Sequence, residues 1–446
     1  MGILNKKTWR YIVRNLGQFL AATSVVMGGI VVYIAMSSAY FALGDSRDRF
    51  YEDNNFADHY FQVVRAPENV VKQIEVIDGV GRVTGRIQRD VPILKENQER
   101  ATARIVSYNL PLDDVINRFT LQQGRTFEVN QASGPTEVVL DPKYLTANQL
   151  TWGDQISVIV DGKEARFTVV GEAISPEFIY AMKDSADILP DPLKFGIFMV
   201  EHSQAQQLLA MSGEINQVLI EFAPGADQGR VIDSIKNTLE PFGLLADYPR
   251  ADQLSHAVLS TELAGLRSVT TVLPLIFLGI AAAIQFVILR RLIKTQRAQI
   301  GLMKGLGYHN YLIMFHYISY ALAISLAGAV LGVILGVVLS GQMIELYATY
   351  FNLPTGLQGF NQRAIINGLV MCLAVGFIAG LSASRRVVQI NPAAAMRPEP
   401  PKIGGKSLLE HLPPLWKRLD SGWKMTFRNI NRNRSRFAVT LLGVIF

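Results

Sequence analysis

Four long apolar runs are distributed unevenly along this chain of 446 residues. One lies near the start, at 15–44, and three follow a long polar stretch, at 268–289, 311–344 and 364–384. A helix of about 20 residues crosses the roughly 30 Å of hydrocarbon in a bilayer. Since hydrocarbon offers the backbone no hydrogen-bond partner, we expect four membrane-spanning helices.

The first run is interpreted as a membrane anchor, with a cleaved signal peptide as the alternative. Ser37, Ser38 and Ala39 resemble a signal-peptidase site. The apolar core of a signal peptide normally spans only about 7–15 residues, and this run is longer. We therefore expect it to remain in the mature protein as the first span.

Lysine and arginine collect beside some ends of the spans and are scarce beside others. They precede the first span, fill the link between the second and third, and follow the fourth: Lys6, Lys7, Arg10, Arg14; Arg290, Arg291, Lys294, Arg297, Lys304; Arg385, Arg386, Arg397, Lys402. The link 345–363 is nearly free of them. These basic ends are predicted to face the cytoplasm, which places 45–261 outside. This asymmetry explains most of the formal charge of +6 without a nucleic-acid partner.

The polar stretch is long enough to bury a core of its own and is predicted to be α+β. Alternating apolar residues around Asp161 and Gly162 predict a β-hairpin: Ile156, Val158, Val160; Phe167, Val169. Helical spacing predicts one helix that Pro67 opens and a second helix after a strand: Val70, Ile74, Ile77; Val218, Ile220, Phe222; Val231, Ile235, Leu239. The single cysteine, Cys372, lies in the fourth span, where it is read as a small packing residue, so this domain folds without disulfides.

The predicted fold is an α-helical integral membrane protein with a large α+β extracytoplasmic domain between the first and second transmembrane helices. The predicted segments are, in order: 1–44, an elbow and the first span; 45–261, the outside domain; 262–386, spans two to four with a cytoplasmic link at 290–310; 387–424, a cytoplasmic linker; 425–446, an elbow and the start of a fifth span.

None of the four apolar runs has a charged residue in its interior, which argues against an ion-coupled carrier. Small residues instead recur every fourth position in the third and fourth spans: Gly328, Gly332, Gly336, Ser340; Gly368, Cys372, Gly376, Gly380, Ser384. They predict close helix packing, either within one subunit or between subunits. His309 and His316 are seven residues apart, and interfacial packing explains them better than a metal site without further ligands.

The link after the second span is basic and amphipathic. Arg290, Lys294 and Arg297 are predicted on one helical face and Ile293, Ile300 and Met303 on another. Gly305 and Gly307 would let the chain turn back into the membrane. Taken alone, the segment could simply be an interfacial helix on anionic headgroups.

Two stretches resemble FtsX-like permeases, the membrane subunits of ABC systems such as the macrolide exporter and the lipoprotein-release machines. The sequence RAQIGLMKGLG at 297–307 is similar to the family signature Arg-x-Glu-Ile-Gly-x-x-Arg-Ala-Leu-Gly, and INPAAAMR at 390–397 is similar to its cytoplasmic tail. Asn391 and Pro392 also suit the N-cap and first residue of a helix. The chain departs from the signature at Gln299, where Glu is usual, and at Lys304, where Arg is frequent.

The resemblance implies that the link couples the protein to a cytoplasmic ABC ATPase dimer through these residues: Arg290, Lys294, Arg297, Gln299, Gly301, Lys304 and Gly307. The chain has no Gly-x-x-x-x-Gly-Lys-Ser/Thr loop, so we expect ATP to be bound by that partner and no cofactor, metal or catalytic site in this chain. The expected location is a bacterial inner membrane, with membrane lipids and a periplasmic adaptor or substrate protein as further partners.

The implied function is ATP-driven export or release of lipids, lipoproteins or amphiphilic compounds. The alternative is a non-transporting protein that transmits ATPase motion to extracytoplasmic partners such as cell-wall hydrolases. A receptor is disfavoured because the proline-rich segment 387–424 is too short for an output domain.

The pattern Trp9-Arg10-x-x-x-Arg14-Asn15 recurs as Phe427-Arg428-x-x-x-Arg432-Asn433, again before an apolar run. This echo predicts an internal repeat, so we expect the first half of a longer two-repeat permease that ends inside its fifth span. A short interfacial helix is the alternative.

Overall fold

A computed structural model describes residues 3–95, 100–128, 136–184, 186–187, 189–354, 361–395, 420–432 and 437. The chain forms two compact units. The membrane unit comprises 1–36, 269–339 and 362–446, and the outer unit comprises 37–268 and 340–361. The outer unit thus includes helical segments on both sides of the predicted domain 45–261. Most of the predicted linker, with Arg397 and Lys402, and nearly all of the predicted fifth span lie outside the described residues.

The helices of the described residues are, in chain order: α1, Ile3–Arg14; α2, Leu16–Asp53; α3, Val70–Glu75; α4, Pro142–Ala147; α5, His202–Leu208; α6, Gln228–Leu239; α7, Leu254–Thr295; α8, Arg297–Gly305; α9, Asn310–Tyr350; α10, Gln362–Val388; α11, Pro392–Ala395; α12, Ser421–Arg432. Helices α1 and α12 are each 12 residues long, and each ends at the second arginine of the repeated pattern.

Four helices in the described part of the chain are long and apolar enough to cross a membrane, namely α2, α7, α9 and α10. The four predicted spans are therefore confirmed. Helices α2, α7 and α9 have 38, 42 and 41 residues, about twice the length that a bilayer requires. Their additional turns belong to the outer unit. The sequence did not predict these additional turns, because they contain polar residues. Hydropathy identifies the apolar part of a helix but not where the helix ends.

The glycines of α9 and α10 lie where helices approach closely within the chain. A Cβ atom at Gly332 of α9 would lie 2.8 Å from the Ile30 Cβ of α2. Gly328 and Gly336 face Val26 and Ile34 of α2, and Gly376 and Gly380 of α10 face Ser325 and Ala321 of α9 in the same manner. Van der Waals contact of this kind holds helices together where no hydrophobic driving force acts between them. These contacts fit the interpretation of packing within one subunit.

The outer unit contains the strands that the described residues form: β1, His59–Pro67; β2, Val80–Arg86; β3, Gln88–Ile93; β4, Ala101–Tyr108; β5, Thr120–Gly124; β6, Thr136–Leu140; β7, Gln155–Val160; β8, Lys163–Ile174; β9, Phe195–Glu201; β10, Glu214–Phe222; β11, Leu244–Pro249. They form one sheet of four strands and one of seven. The α+β prediction is thus confirmed.

The four-stranded sheet has the order β11-β1-β10-β2 and is antiparallel throughout. Helices α3 and α6 cover it, which gives a split βαβ arrangement with the other sheet inserted between β2 and β10. Val231, Ile235 and Leu239 of α6 are buried in its core, as the spacing predicts. The prediction that Pro67 opens the first helix is wrong. Pro67 ends β1 opposite Glu214, and α3 begins only after Asn69.

The seven-stranded sheet has the order β5-β8-β6-β9-β4-β3-β7, and β7 also pairs with β8. Six of its strands therefore form a closed ring, with β5 attached to the long strand β8. The predicted hairpin is confirmed as β7 and β8. Asp161 and Gly162 both have positive φ at its turn, 48° and 80°, as a tight two-residue hairpin turn requires.

The close approach at Gly332 gives a direct test of the membrane unit's packing. We expect Gly332→Ala to lower the free energy of unfolding by about 1–3 kcal/mol, because the new methyl group overlaps Ile30. Unfolding in mixed micelles, followed by circular dichroism, measures the change.

The matched control is Gly341→Ala in the same helix, where a Cβ atom has nothing within 4 Å. Its stability should rise by up to about 1 kcal/mol, because alanine is the better helix former. Equal effects of the two substitutions would contradict the packing at Gly332.

Candidate functional site

The segment between α7 and α9 makes a short helix with a sharp entry and exit. Helix α7 ends at Thr295, and Gln296 precedes α8 with φ −97° and ψ 15°. The Gln296 side chain accepts a hydrogen bond of 2.8 Å from the Tyr317 hydroxyl, which fixes this bend. After α8, Gly307 has a φ of 89°, a conformation that favours glycine. The chain then enters α9.

The inward face of α8 packs on α11. A Cβ atom at Gly301 would lie 2.7 Å from the Ala395 Cβ and 3.3 Å from the Pro392 carbonyl oxygen. The Asn391 side chain accepts a 3.2 Å hydrogen bond from the Ala393 backbone N–H at the start of α11, as expected of an N-cap residue. The two motifs of the predicted coupling region therefore lie against each other, and Gly301 permits the contact.

Lys304 ties the end of α8 to the end of α10. Its Nζ donates to the backbone carbonyls of Val388, at 3.2 Å, and Ile390, at 2.9 Å. The last carbonyls of a helix have no partner within the helix and attract a cation. Partial burial lowers the pKa of Lys304 from its usual 10.5. Its ammonium group therefore fixes the backbone that leads into α11.

The opposite face of the segment presents apolar side chains to solvent. Leu302 is 54% exposed and Leu306 is 69% exposed, and Tyr308 follows them at 44%. Sequence reasoning assigned no role to these residues. A signal was present, because Leu302 and Leu306 are four residues apart and therefore lie on about the same helical face. An exposed apolar pair on a short helix suits a protein docking surface.

The other predicted coupling residues lie around this helix. Arg290 stands over the Phe286 ring at 6.0 Å, Lys294 is exposed, and Arg297 is half-buried. Arg290 and Lys294 belong to α7 and Arg297 begins α8, because Gln296 separates the two helices. That these three side chains share one face stays a prediction. Gly305 is the last residue of α8, so of the two glycines only Gly307 makes the turn. The remaining residue, Gln299, lines a cavity beside α1.

The two histidines do not share a site. His309 is exposed and precedes α9, whereas His316 is buried within it. The His316 Nδ1 lies 3.4 Å from the Thr8 hydroxyl. No group of three or more potential metal ligands occurs in the part of the chain that the structure describes.

In the outer unit, the chain that follows α9 holds a loop of the larger sheet. The Asn352 backbone N–H donates to the Ile179 carbonyl at 2.6 Å, and its side-chain amide donates to the carboxylate of Asp141. Phe351 stacks on Tyr180 with ring centroids 5.1 Å apart. The outer end of α9 is thereby fixed to the segment around 176–180.

The start of α7 holds the same segment from another direction. The Gln253 amide donates to the Glu177 carbonyl at 2.7 Å, and the Ser255 hydroxyl accepts from the Tyr180 backbone N–H at 2.8 Å. Further along the helices, the Tyr347 hydroxyl of α9 donates to Glu262 of α7 at 2.6 Å. Helices α7 and α9, which both continue into the membrane unit, thus begin or end at hydrogen bonds to the same short loop, 176–180.

Glu177 links this loop to the four-stranded sheet. Its carboxylate accepts from Arg86 of β2 at 2.6 Å and from Asn117 at 2.9 Å, and both Arg86 and Glu177 are at most 3% exposed. Arg86 also donates to Gln217 of β10 at 2.7 Å. Burial and the adjacent Glu177 charge raise the pKa of Tyr60, which keeps its hydroxyl protonated. This buried pair joins the two sheets, because a buried charge that loses its partner is strongly unfavourable.

Helix α2 enters the outer unit through an aromatic cluster. Tyr51 stacks on Phe56 at 4.1 Å, and its hydroxyl lies 3.1 Å from the His256 Nδ1 of α7. Arg250 lies over the Phe56 ring at 5.2 Å and pairs with Asp58 at 2.7 Å. The outer ends of α2, α7 and α9 are therefore bonded to each other and to both sheets.

Two protein-family models match the chain. The model of the MacB-like periplasmic core domain matches residues 19–238, and that of the FtsX-like permease C-terminal region matches residues 271–392. Between them they include most of the first span, most of the outer unit and the segment between α7 and α9. No curated protein matches the chain significantly.

Two solved structures resemble somewhat less than half of the chain. The periplasmic region of MacB from Actinobacillus actinomycetemcomitans is 12% identical, and the match covers 47% of this chain and 95% of that one with a TM-score of 0.31. The extracellular domain of the noncanonic ABC-type transporter YknZ from Gram-positive bacteria is 15% identical, with 43% and 100% covered and a TM-score of 0.29.

The contact between Asn352 and Asp141 gives a pH-dependent prediction. Burial raises the pKa of Asp141 from 3.8 to about 6. The folded protein therefore binds this proton more tightly than the unfolded chain, and the resulting stability is present below pH 3.8 and lost as the pH rises through about 6. Relative to Asp141→Asn, the wild type should lose about 3 kcal/mol of unfolding free energy between these values.

Asparagine is a suitable replacement, because it also caps a helix and here would cap α4. Lys143, whose pKa burial lowers to about 8, remains protonated throughout this window. His202, whose pKa burial lowers, titrates equally in both proteins and cancels in the difference. Urea unfolding at a series of pH values measures the difference, and parallel curves would contradict the raised pKa.

Proposed function

Because the chain belongs to the FtsX-like permeases, the membrane subunits of ABC transporters, we propose that it carries the motion of a cytoplasmic ATPase to its outer unit. In this proposal the ATPase dimer docks on α8, and ATP is bound there rather than in this chain. The observation that carries the proposal is the packing of Gly301 on α11, which fixes α8 as a rigid surface.

The exposed face of α8 supports a docking role. Leu302 and Leu306 offer an apolar contact, and Arg297 adds positive charge to the same short helix. Such a combination suits a groove with an apolar floor and an acidic rim. The inward face is already occupied by α11 and by the backbone that Lys304 binds, so a force on α8 would act on α10 as well.

Continuous helices support the transmission step. Helices α7 and α9 both contribute residues to the membrane unit and to the outer unit without interruption. A helix resists stretching and bending over such lengths, so a displacement at one end is felt at the other. At the outer ends, Gln253 and Asn352 bind the loop that carries Glu177. The proposed output is thus a change in how the two sheets are held together.

The orientation is part of the proposal. Basic residues next to α1, α8 and α10 favour a cytoplasmic location for these ends, which puts the predicted domain 45–261 outside. The proposed membrane is a bacterial inner membrane. Substrates would then be taken up outside the inner membrane, as lipids, lipoproteins or amphiphilic compounds. A second candidate, motion without transport, is favoured by the spans themselves, since none of the apolar runs carries a charged residue in its interior.

The coupling step predicts a difference between two neighbouring glycines. Gly301→Ala should weaken binding of the ATPase about fivefold or more, about 1 kcal/mol, because its methyl group overlaps Ala395 and displaces α8. Gly305→Ala is the matched control, since a Cβ atom there has nothing within 4 Å. Co-purification with the ATPase and stimulation of ATP hydrolysis in nanodiscs are the measurements. Equal behaviour of the two variants would refute α8 as the coupling element.

Reconstitution separates the two candidate functions. Proteoliposomes that contain the protein and its ATPase should release or move a labelled lipid or lipoprotein in the presence of ATP, and Gly301→Ala should reduce this release. If ATP hydrolysis changes only the activity of a bound extracytoplasmic protein, the transport proposal fails and the second candidate stands.

A further inference from the structure

A cavity of about 400 Å³ lies between the elbow helix α1 and the start of α8. Four cations of α1 line it, namely Lys6, Lys7, Arg10 and Arg14, and Gln296 and Gln299 form the opposite wall. The volume falls within the range of about 300–1,000 Å³ that is typical of sites for small ligands. We call this cavity the elbow cavity.

The cations of the elbow cavity have no anionic partner in the residues that the structure describes. The sequence explains why. The segments 1–36, 269–339 and 362–398, which make up the membrane unit up to that point, contain no aspartate or glutamate at all. Four cations gathered in one cavity repel each other unless an anion is bound. The nearest neutralising charge must therefore come from outside these segments.

The position of the cavity limits which anion can reach it. Helix α1 leads directly into the span α2, and Gln296 directly follows the span α7. The cavity therefore lies at the level where two helices leave the hydrocarbon, which is the level of the lipid headgroups. Exposed apolar side chains continue from α1 into α2 at Trp9, Val13, Leu16 and Leu20. This stripe offers acyl chains a surface beside the cations.

The lining groups suit a phosphate. Arginine presents a planar fork that matches phosphate oxygens, and lysine adds a point charge. The Gln296 carbonyl is occupied by Tyr317, so its amide NH₂ group is the part left to act as a donor. Tyr11 is held by edge contacts with Phe19 and Tyr320, at 6.2 and 5.8 Å, which fixes the wall of the cavity. Partial burial lowers the pKa of Lys7 from 10.5, a penalty that a bound anion would offset.

We propose that the elbow cavity binds the phosphate of an anionic glycerophospholipid, with the acyl chains on the stripe from Trp9 to Leu20. The shared chemistry is a phosphate held by Arg10 and Arg14, and a soluble phosphate is the other possible source. The lipid is favoured because the apolar stripe adjoins the cations, and a soluble ion would leave it unused. This inference does not depend on an ATPase partner.

Native mass spectrometry of the full chain in neutral detergent tests the proposal. Phosphatidylglycerol should bind at least about tenfold more tightly than phosphatidylcholine, which has the same phosphate but no net charge. Arg10→Gln with Arg14→Gln should remove this preference. Arg385→Gln with Arg386→Gln is the control with equal loss of charge, at exposed residues that end α10, and should keep it.

Gln299→Glu is a second test variant, which keeps the shape of the side chain and adds a negative charge. It places a carboxylate in the cavity wall and should lower phosphatidylglycerol binding about fivefold or more by neutralising the cations. Circular dichroism and gel filtration confirm that each variant is folded.

Competition with inorganic phosphate separates the two sources. If an excess displaces phosphatidylglycerol only weakly, the lipid is the ligand. If inorganic phosphate alone binds as tightly as the lipid and is lost with Arg10 and Arg14, the phosphate site stands and the lipid is refuted as its source. Equal binding of the two lipids, or equal loss in the two double variants, overturns the proposal.

Discussion

The rest of the structure depends on one constraint: hydrocarbon supplies no hydrogen-bond partner and no counter-charge. The first part forces the backbone of each span to pair within a helix, which makes α2, α7, α9 and α10 stiff and continuous. The lack of counter-charge accounts for the absence of aspartate and glutamate from the segments 1–36, 269–339 and 362–398 of the membrane unit. Its cations therefore gather at helix ends, where headgroups, helix carbonyls or another protein can neutralise them.

The outer unit, by contrast, contains both acidic and basic residues and can pair them with each other. Charges there are buried with their partners, as Arg86 is with Glu177 at 2.6 Å, and that pair joins two sheets which have separate cores. The loop that carries Glu177 is also the loop bound by α7 and α9. A small shift of either helix would therefore act on a pair that tolerates little separation, since a buried charge without its partner is strongly unfavourable. Helices α7 and α9 are therefore connected, through the loop that carries Glu177, to an ion pair that tolerates little displacement.

Much of this architecture could be predicted from the sequence because it depends on local patterns. The length of the apolar runs predicted the four spans, and the alternation of apolar residues around Asp161 and Gly162 predicted the hairpin. The helical spacing of apolar residues predicted the buried face of α6. The extent of α2, α7 and α9 could not be predicted, because their outer turns are held by contacts such as Tyr51 with His256, which join distant parts of the chain. The bend at Gln296 depends likewise on Tyr317. The exposure of Leu302 and Leu306 becomes visible only once the opposite face of α8 is covered.

The two departures from the family signature have different physical consequences. At position 304 the Lys304 ammonium group binds the backbone carbonyls of Val388 and Ile390, at 3.2 and 2.9 Å, as a point charge. Nothing in that contact requires the fork of an arginine. At position 299 a glutamate would have placed a carboxylate in the wall of the elbow cavity, beside four cations. Glutamine keeps the shape of that side chain but removes its charge. The replacement of Glu by Gln299 therefore leaves the elbow cavity without a carboxylate of its own and open to a bound anion, whereas Lys304 preserves a contact that the fold already requires.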